Sequence, residues 1–327
     1  VAAAPHLGEF ERIARFFGPL AGPGALGLAD DVALIDGPAG EQYALTTDTI
    51  VEGVDYFPDD PPDLVARKLL RVNLSDLAAK GAQPFGYLLT TVLPQARNEA
   101  WLEAFSTGLA ADQKEFGIVL LGGDSSATPG PTTLSLTAIG RVAKGKAVLR
   151  SGARPGDVIY VSGTIGDAAL GLGILKGEIE APSKKDRNFL VDRYRIPQPR
   201  LALGQKLVGL ATAMIDISDG LIADLKHICD ASGAAAWIYA DAVTRSESAR
   251  KLSKTLKNFR ALQLGGGDDY ELLFTSPPSS AYRIGDVTRE VGMTVACIGE
   301  MEPGEGVRVL DAKKRPIQID IAGYSHF

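Results

Sequence analysis

Two cysteines and three histidines in 327 residues leave little for disulfide or soft-metal chemistry. Cys229 and Cys297 cannot form a CxxC ligand pair, and a secreted disulfide framework would need more, so both read as reduced core thiols. His6, His227 and His326 make no HExxH-type pair, and a zinc site is not expected. No run reaches the ~18 apolar residues of a membrane span. The opening VAAAPHLGEFERIARFF lacks the basic stretch and apolar block of a signal peptide. A cytoplasmic location away from membranes is therefore expected. A nucleic-acid partner is not, because a basic stripe is missing. Lys184, Lys185 and Arg187, and the run over 250–257, are short and read as solvated helix faces or loops. Familiar phosphate-binding loops are missing too. GRVAKGKA (140–147) keeps the Walker spacing up to Lys146 but puts Ala147 where a metal-binding hydroxyl belongs, and GLGILKG lies in a helical pattern.

What is present is an ordinary globular balance, 45% hydrophobic and 23% charged with a net charge of −6, over a length that allows two domains. Hydrophobic periodicity predicts a helix over 9–17, strands over 32–35, 43–49, 87–93, 118–121 and 133–139, and helices over 64–80 and 99–116. A composition break at GRVAKGKAVLRSGARPGD sets a domain boundary near residue 148. Beyond it come a strand over 158–162, a helix over 167–175, a polar loop near 182–186, a strand over 213–217 and a helix over 221–231. Mixed strands and helices without strict βαβ alternation predict two α+β domains.

Many aspartates lie in glycine-flanked, otherwise uncharged segments. In the helix from Leu64, the stripe Val65, Leu69, Val72, Asp76, Ala79 puts Asp76 on the apolar, inward face. A carboxylate there needs a cation, strong donors or a raised pKa; a buried cap or salt bridge is the alternative. In YALTTDT, alternation puts Thr46 and Asp48 on one face and Thr47 on the other. AMIDISDGL separates Asp216 and Ser218 from Ile215 and Ile217, and Asp219 opens a helix, where an ordinary N-cap explains it almost as well. IVLLGGDSS reads as a buried strand ending in Gly122, Gly123 and Asp124. Glycines there let a backbone approach a phosphate while the acid takes a metal, and a plain turn is the alternative. Asp30-Asp31 and Asp268-Asp269 repeat the acidic pair beside small residues. If such carboxylates converge at about 6 Å, each pair repels by roughly 3 kcal/mol at an effective dielectric near 20. Divalent cations relieve that repulsion, and hard oxygen donors select Mg²⁺. The residues thus describe an enzyme that holds Mg²⁺ on the phosphates of a nucleotide.

LADDVAL, TTDTIVEG, ARKLLRVNLSDLAAKGAQP, GGDSS, IDISDGLIADLKHI, GGGDDYELLF and the terminal GYSHF together resemble the thiamine-monophosphate kinase family, in that family's order and over nearly the whole chain. The resemblance implies two α+β domains of the aminoimidazole ribonucleotide synthetase kind. Residues 1–148 would form an N-terminal ATP/Mg²⁺-binding and dimerisation domain, and 149–327 a C-terminal α+β domain, with homodimers made through N-terminal strands. It implies ATP-dependent phosphorylation of thiamine monophosphate to thiamine diphosphate by in-line transfer. By motif position it implies Asp31, Thr46, Thr47, Asp48, Asp76, Asp124, Asp216 and Asp219 as Mg²⁺ ligands, with Asp76, Asp124 and Asp216 at the catalytic centre. Gly123, Asp124, Arg150 and Ser218 would contact ATP, and Asp55, Asp268 and Tyr324 the thiamine moiety, Tyr324 by stacking. Three positions depart from the family's usual pattern. Asp55 replaces a substrate-contacting histidine, Ala29 precedes Asp30-Asp31 where glycine is usual, and Asp268 replaces a glutamate. The alternatives are a related ATP-dependent enzyme with another acceptor, or an ATP-Mg²⁺ sensor without transfer. Selenophosphate synthetase fits less well because no cysteine precedes Cys229, and a hydrogenase-maturation enzyme because the sequence ends in Phe327.

Overall fold

The computed structural model describes Ile13 and residues 18–319. His6, His326, Tyr324 and nearly all of the helix predicted over 9–17 lie outside them. The first sheet holds β1 (Ala33–Asp36), β2 (Glu41–Val51), β3 (Gln83–Pro94), β4 (Val119–Thr128) and β5 (Thr133–Ala143) in the order β1-β2-β5-β3-β4. β3 and β4 pair in parallel and the other neighbours antiparallel. Helix α1 (Pro62–Ala79) packs against β2, β3 and β5, and α2 (Glu99–Phe116) packs on α1.

The second sheet holds β6 (Val158–Ser162), β7 (Ala213–Asp216), β8 (Ala235–Tyr239), β9 (Leu272–Ser276), β10 (Val295–Glu302) and β11 (Gly306–Leu310), ordered β11-β8-β10-β6-β9-β7. Only β8 and β11 run parallel within it. Around it come α3 (Asp167–Leu175), α4 (Lys184–Arg195), α5 (Leu201–Leu207), α6 (Leu221–Ser232), α7 (Glu247–Leu252), α8 (Phe259–Gly265) and α9 (Ala281–Val291). The expected pair of α+β domains is therefore present, each with a mixed sheet. Among the described residues no helix is long and apolar enough to cross a membrane.

Three local expectations are corrected. The strand predicted to stop at Gly-Gly-Asp runs on to Thr128. A Cβ on Gly123 would sit 1.8 Å from the Leu89 carbonyl oxygen, so this glycine lets β4 lie close against β3 rather than making a turn. The polar loop near 182–186 is the start of α4, capped by the Ser183 hydroxyl, which accepts the Asp186 N–H at 3.1 Å. Cys229 is buried as expected, but Cys297 is exposed on β10.

α1 is the hinge of the architecture. Pro62 opens it, and Gly81, at φ 67°, ends it while Ala82 N–H returns to the Leu77 carbonyl at 2.9 Å. The second domain closes over its other side, where α5 comes so near that a Cβ on Gly204 would lie 2.0 Å from the Ala78 carbonyl oxygen. Arg71, 1% exposed, ties the same helix to Asp112 on α2 at 2.6 Å and to the Pro197 carbonyl of the second domain at 3.1 Å. A helix predicted to show one apolar stripe is thus buried nearly all round, and its C-terminal end is pressed against β7.

Candidate active site

Close packing of α1 on both sheets brings together carboxylates that are far apart in sequence. Asp30 and Asp31 precede β1, Asp48 lies on β2, Asp76 on α1 and Asp216 at the end of β7. Carboxylate oxygens of Asp31, Asp76 and Asp216 all lie within 4.8 Å of one another. As the periodicity predicts, Asp76 shares its face with the buried Val65, Leu69, Val72 and Ala79, and from Lys68 to Ala79 it alone keeps some exposure, where that face meets the site. The Thr46 hydroxyl donates to Asp76 Oδ2 at 2.5 Å. Buried Asn73, a turn earlier on α1, accepts the Asp48 N–H at 3.2 Å and so sets β2 in register with the helix.

The electrostatics divide this centre in two. Burial alone would raise Asp31, but the Lys80 and Arg150 cations beside it hold it below the ordinary range. Burial first, then the charges of Asp31 and Asp55, push Asp48 up to about 6. Burial and the Asp31 charge push Asp216 up to about 7. Asp76 is raised well above its ordinary value by burial and by Asp48, Asp216 and Asp31. Among the described residues Asp48, Asp76 and Asp216 therefore form no ion pair, Asp216 feeling only the charge of Arg150, which is engaged with Asp31, and the carboxylate donors here are all oxygen. This donor set fits a hard divalent cation such as Mg²⁺ and suits a soft metal poorly.

A second cluster follows directly. Asp219, Asp224 and His227 bring ligand atoms within 4.8 Å of one another. Gly220, not Asp219, occupies the position that opens the helix, and Asp224 Oδ2 accepts the N–H groups of Asp219 and Gly220, each at 3.1 Å. Asp224 and His227 were not singled out, although their spacing of one helical turn in SDGLIADLKH was a readable signal.

Beside both clusters a cavity of about 600 Å³ opens between the domains, lined among others by Asp48, Asp55, Lys68, Ser218, Asp268 and Tyr270. Asp268 and Tyr270 adopt φ of 66° and 50°, an uncommon conformation for side-chain-bearing residues. Their N–H groups donate to the carbonyls of Ser218 and Ile217, both at 2.8 Å, which locks GGDDY against the ISDG loop. Asp55 turns its Oδ2 to the Val51 N–H at 2.8 Å. Lys68, 4% exposed, was missed; its Nζ reaches the Asp55 carbonyl at 3.0 Å and Asp268 Oδ1 at 3.2 Å, and lies 3.7 Å from the Tyr194 ring centre. The spacing Lys68, Val72, Asp76 marked it as sharing the helix face of Asp76.

Two groups of expected residues are not gathered in. Thr47 is exposed on the opposite face of β2, its hydroxyl donated to the Leu136 carbonyl at 3.2 Å, so its side chain does not join the cluster. Gly123 and Asp124 are exposed on β4, the edge strand, away from the three clustered carboxylates. Arg150 reaches Asp31 rather than open space, with Nε 2.7 Å from Oδ1.

Family models for the AIR synthase related protein match this chain twice, the N-terminal domain over residues 29–142 and the C-terminal domain over 154–312. The thiamine-monophosphate kinase of Salmonella typhimurium is 41% identical over 327 residues, covering 98% of both chains. That of Escherichia coli K12 is 42% identical over 327 residues with 98% of both chains covered. The solved structure of AaThiL complexed with AMPPCP and TMP is similar with a TM-score of 0.87 at 30% identity, over 100% of this chain and 99% of that one. On its sequence and on both of its domains, the chain belongs to the thiamine-monophosphate kinases, within the AIR synthase-related proteins.

Proposed function

We propose that the chain transfers a phosphoryl group from ATP to thiamine monophosphate, giving thiamine diphosphate and ADP. The observation that carries this reading is the meeting of Asp31, Asp76 and Asp216, whose carboxylate oxygens lie within 4.8 Å of one another, with Asp48 lining the interdomain cavity. Asp31, Asp48, Asp76, Asp216 and the Thr46 hydroxyl would hold Mg²⁺, with Asp219 serving a further ion. Bound there, the metal would neutralise phosphate oxygens and lower the repulsion between two anions.

The acceptor is itself a phosphate, with a second pKa of about 6, and is largely dianionic at neutral pH. It needs no strong general base, which accords with a centre built from aspartates. Arg150 and Ser218 are assigned to the nucleotide, Arg150 because its planar fork, now on Asp31, suits phosphate equally. Asp268 and Asp55 line the cavity where a cationic thiazolium would sit, and Lys68 fixes the direction of the Asp268 carboxylate. A domain boundary near residue 148 is part of this reading, and the two matched segments, 29–142 and 154–312, support it.

Incubation with ATP, Mg²⁺ and thiamine monophosphate should yield ADP and thiamine diphosphate in equal amounts, resolved by chromatography. ATP binding without thiamine diphosphate would defeat this reading and leave a sensor or another acceptor.

We further propose a homodimer through β4. Val119, Leu120 and Leu121 are 52%, 48% and 50% exposed, and Leu88 on the neighbouring strand 44%. Among the described residues β4 pairs with β3 alone, leaving an apolar edge open to a second copy. Gly123 and Asp124 would then lie at the seam. Leu120→Arg is expected to convert the dimer to monomer in sedimentation analysis; an unchanged mass would reject this interface.

A further inference from the structure

The last turn of α4 takes no part in the function proposed above, yet three consecutive residues there grip different parts of the cavity's wall. Arg193 donates to the Asp269 carbonyl at 3.1 Å and to Glu271, 0% exposed, at 2.9 Å, and so holds the GGDDY segment from behind. Arg195 pairs with buried Asp60, whose Oδ2 accepts the Phe57 N–H at 3.0 Å. Between them Tyr194, 3% exposed, lines the cavity. Its hydroxyl donates to the Asp55 carbonyl at 3.0 Å, and its ring meets that of Phe57 edge-on at 6.3 Å. The Lys68 ammonium lies 3.7 Å from the centre of the same ring, donates to the same Asp55 carbonyl at 3.0 Å, and pairs with Asp268 at 3.2 Å. Neighbouring helix residues point about 100° apart, so one turn can reach two separate segments.

We infer that Tyr194 is a positioning residue of the acceptor pocket, which from the second domain sets Lys68 and the segment 52–60 of the first domain against the GGDDY wall. The ring takes one side of the Lys68 ammonium in place of water, and a cation so shielded is aimed at the acceptors that remain, the Asp55 carbonyl and the Asp268 carboxylate. The hydroxyl fixes that carbonyl from the other domain. Both walls of the pocket are thereby joined through one side chain, Asp55 on one and Asp268 on the other. Asp76 and Asp216 are carried instead by α1 and β7. Loss of Tyr194 therefore weakens binding of the acceptor and leaves binding of ATP largely as it was. This inference rests on the function proposed above and extends it to a residue of the second domain.

The test pairs steady-state kinetics with hydrogen exchange of the substrate-free protein, read by mass spectrometry. Tyr194→Phe keeps the ring but loses the hydroxyl, and is expected to raise KM for thiamine monophosphate roughly threefold. Tyr194→Leu loses the ring as well and should raise it roughly tenfold or more. In both, KM for ATP and kcat should stay within about twofold of the wild type. Exchange over 52–60, where the amides of Gly53, Val54, Asp55, Phe57 and Asp60 are hydrogen-bonded locally, should quicken in Tyr194→Leu while that over 41–50 does not. A role in stability alone lowers the unfolding temperature and either leaves KM for thiamine monophosphate unchanged or raises both KM values together. Each of those results overturns the inference, as does unchanged exchange over 52–60 in Tyr194→Leu. Should Tyr194→Leu not fold, Tyr194→Phe decides the matter, and an unchanged KM for thiamine monophosphate there overturns the inference. A wild type that forms no thiamine diphosphate removes the proposed function instead. The exchange result then stands alone: faster exchange over 52–60 upholds the hold of Tyr194 on this segment, and unchanged exchange overturns it.

Discussion

Asp76→Asn is expected to lower kcat by roughly 10³-fold, while the metal-free protein unfolds at the same temperature as the wild type or a few degrees higher. The two effects share one cause. Asparagine keeps the volume of aspartate and can still accept the Thr46 hydroxyl, so packing is retained. What is lost is a negative charge whose oxygens lie within 4.8 Å of those of Asp31 and Asp216. At such separations each pair of charges repels by about 3 kcal/mol at an effective dielectric near 20. Without metal, the folded state must hold a proton on Asp76 that the unfolded chain has released, and asparagine removes that cost; with metal and nucleotide, it removes a ligand. Asp216→Asn should behave in the same way, because Asp216 is also raised by burial and by the neighbouring Asp31. Steady-state kinetics beside thermal unfolding in EDTA would check both. Normal turnover in a folded Asp76→Asn protein would remove Asp76 from the machinery.

Stripped of metal, the protein should lose stability on the order of a few kcal/mol between pH 5 and pH 8, and Mg²⁺ with nucleotide should flatten most of that slope. Asp48 is pushed up to about 6, Asp216 to about 7, and Asp76 well above the ordinary range. In the unfolded chain the same groups release their protons near pH ~3.9. Across this window the folded state holds protons that the unfolded state has already lost, so stability falls as pH rises through the folded values. The contribution is fully present below about pH 4. Buried Asp269, pushed up to about 8, acts in the same direction but lies apart from the carboxylate cluster, and metal should not relieve it. His227, lowered by burial and by Arg150, opposes the trend at the acid end of the window. Urea unfolding at pH 5, 6, 7 and 8, in EDTA and in Mg²⁺, reads the effect. A flat profile in EDTA would show that the three carboxylates are compensated by something other than metal.

The strands and helices of the first domain were legible because their periodicity is strong. The helix expected over 99–116 has those bounds in the structure, where Asn98 and Gly117 cap its two ends. The boundary of β4 was not legible, since glycines signal a turn and a close strand pairing equally well, and only the Leu89 carbonyl facing Gly123 distinguishes them. Asp48, Asp76 and Asp216 could be picked out one at a time, as carboxylates in otherwise apolar surroundings. Lys68 and Asp224 left only a helical spacing as a signal, and Lys80 left none, because lysines and aspartates on helices are usually solvated, and each is buried here by an element from elsewhere in the chain.

By itself, then, the sequence determined the class of fold and the family, since these depend on local pattern and on motifs in order. The tertiary structure alone decided which carboxylates meet, which are already neutralised and which are left needing a cation. Those properties depend on distance and burial across domains: Lys80 reaches Met214 over 134 positions of sequence, and the energy of a charge is set by its nearest neighbours in space, not by those along the chain.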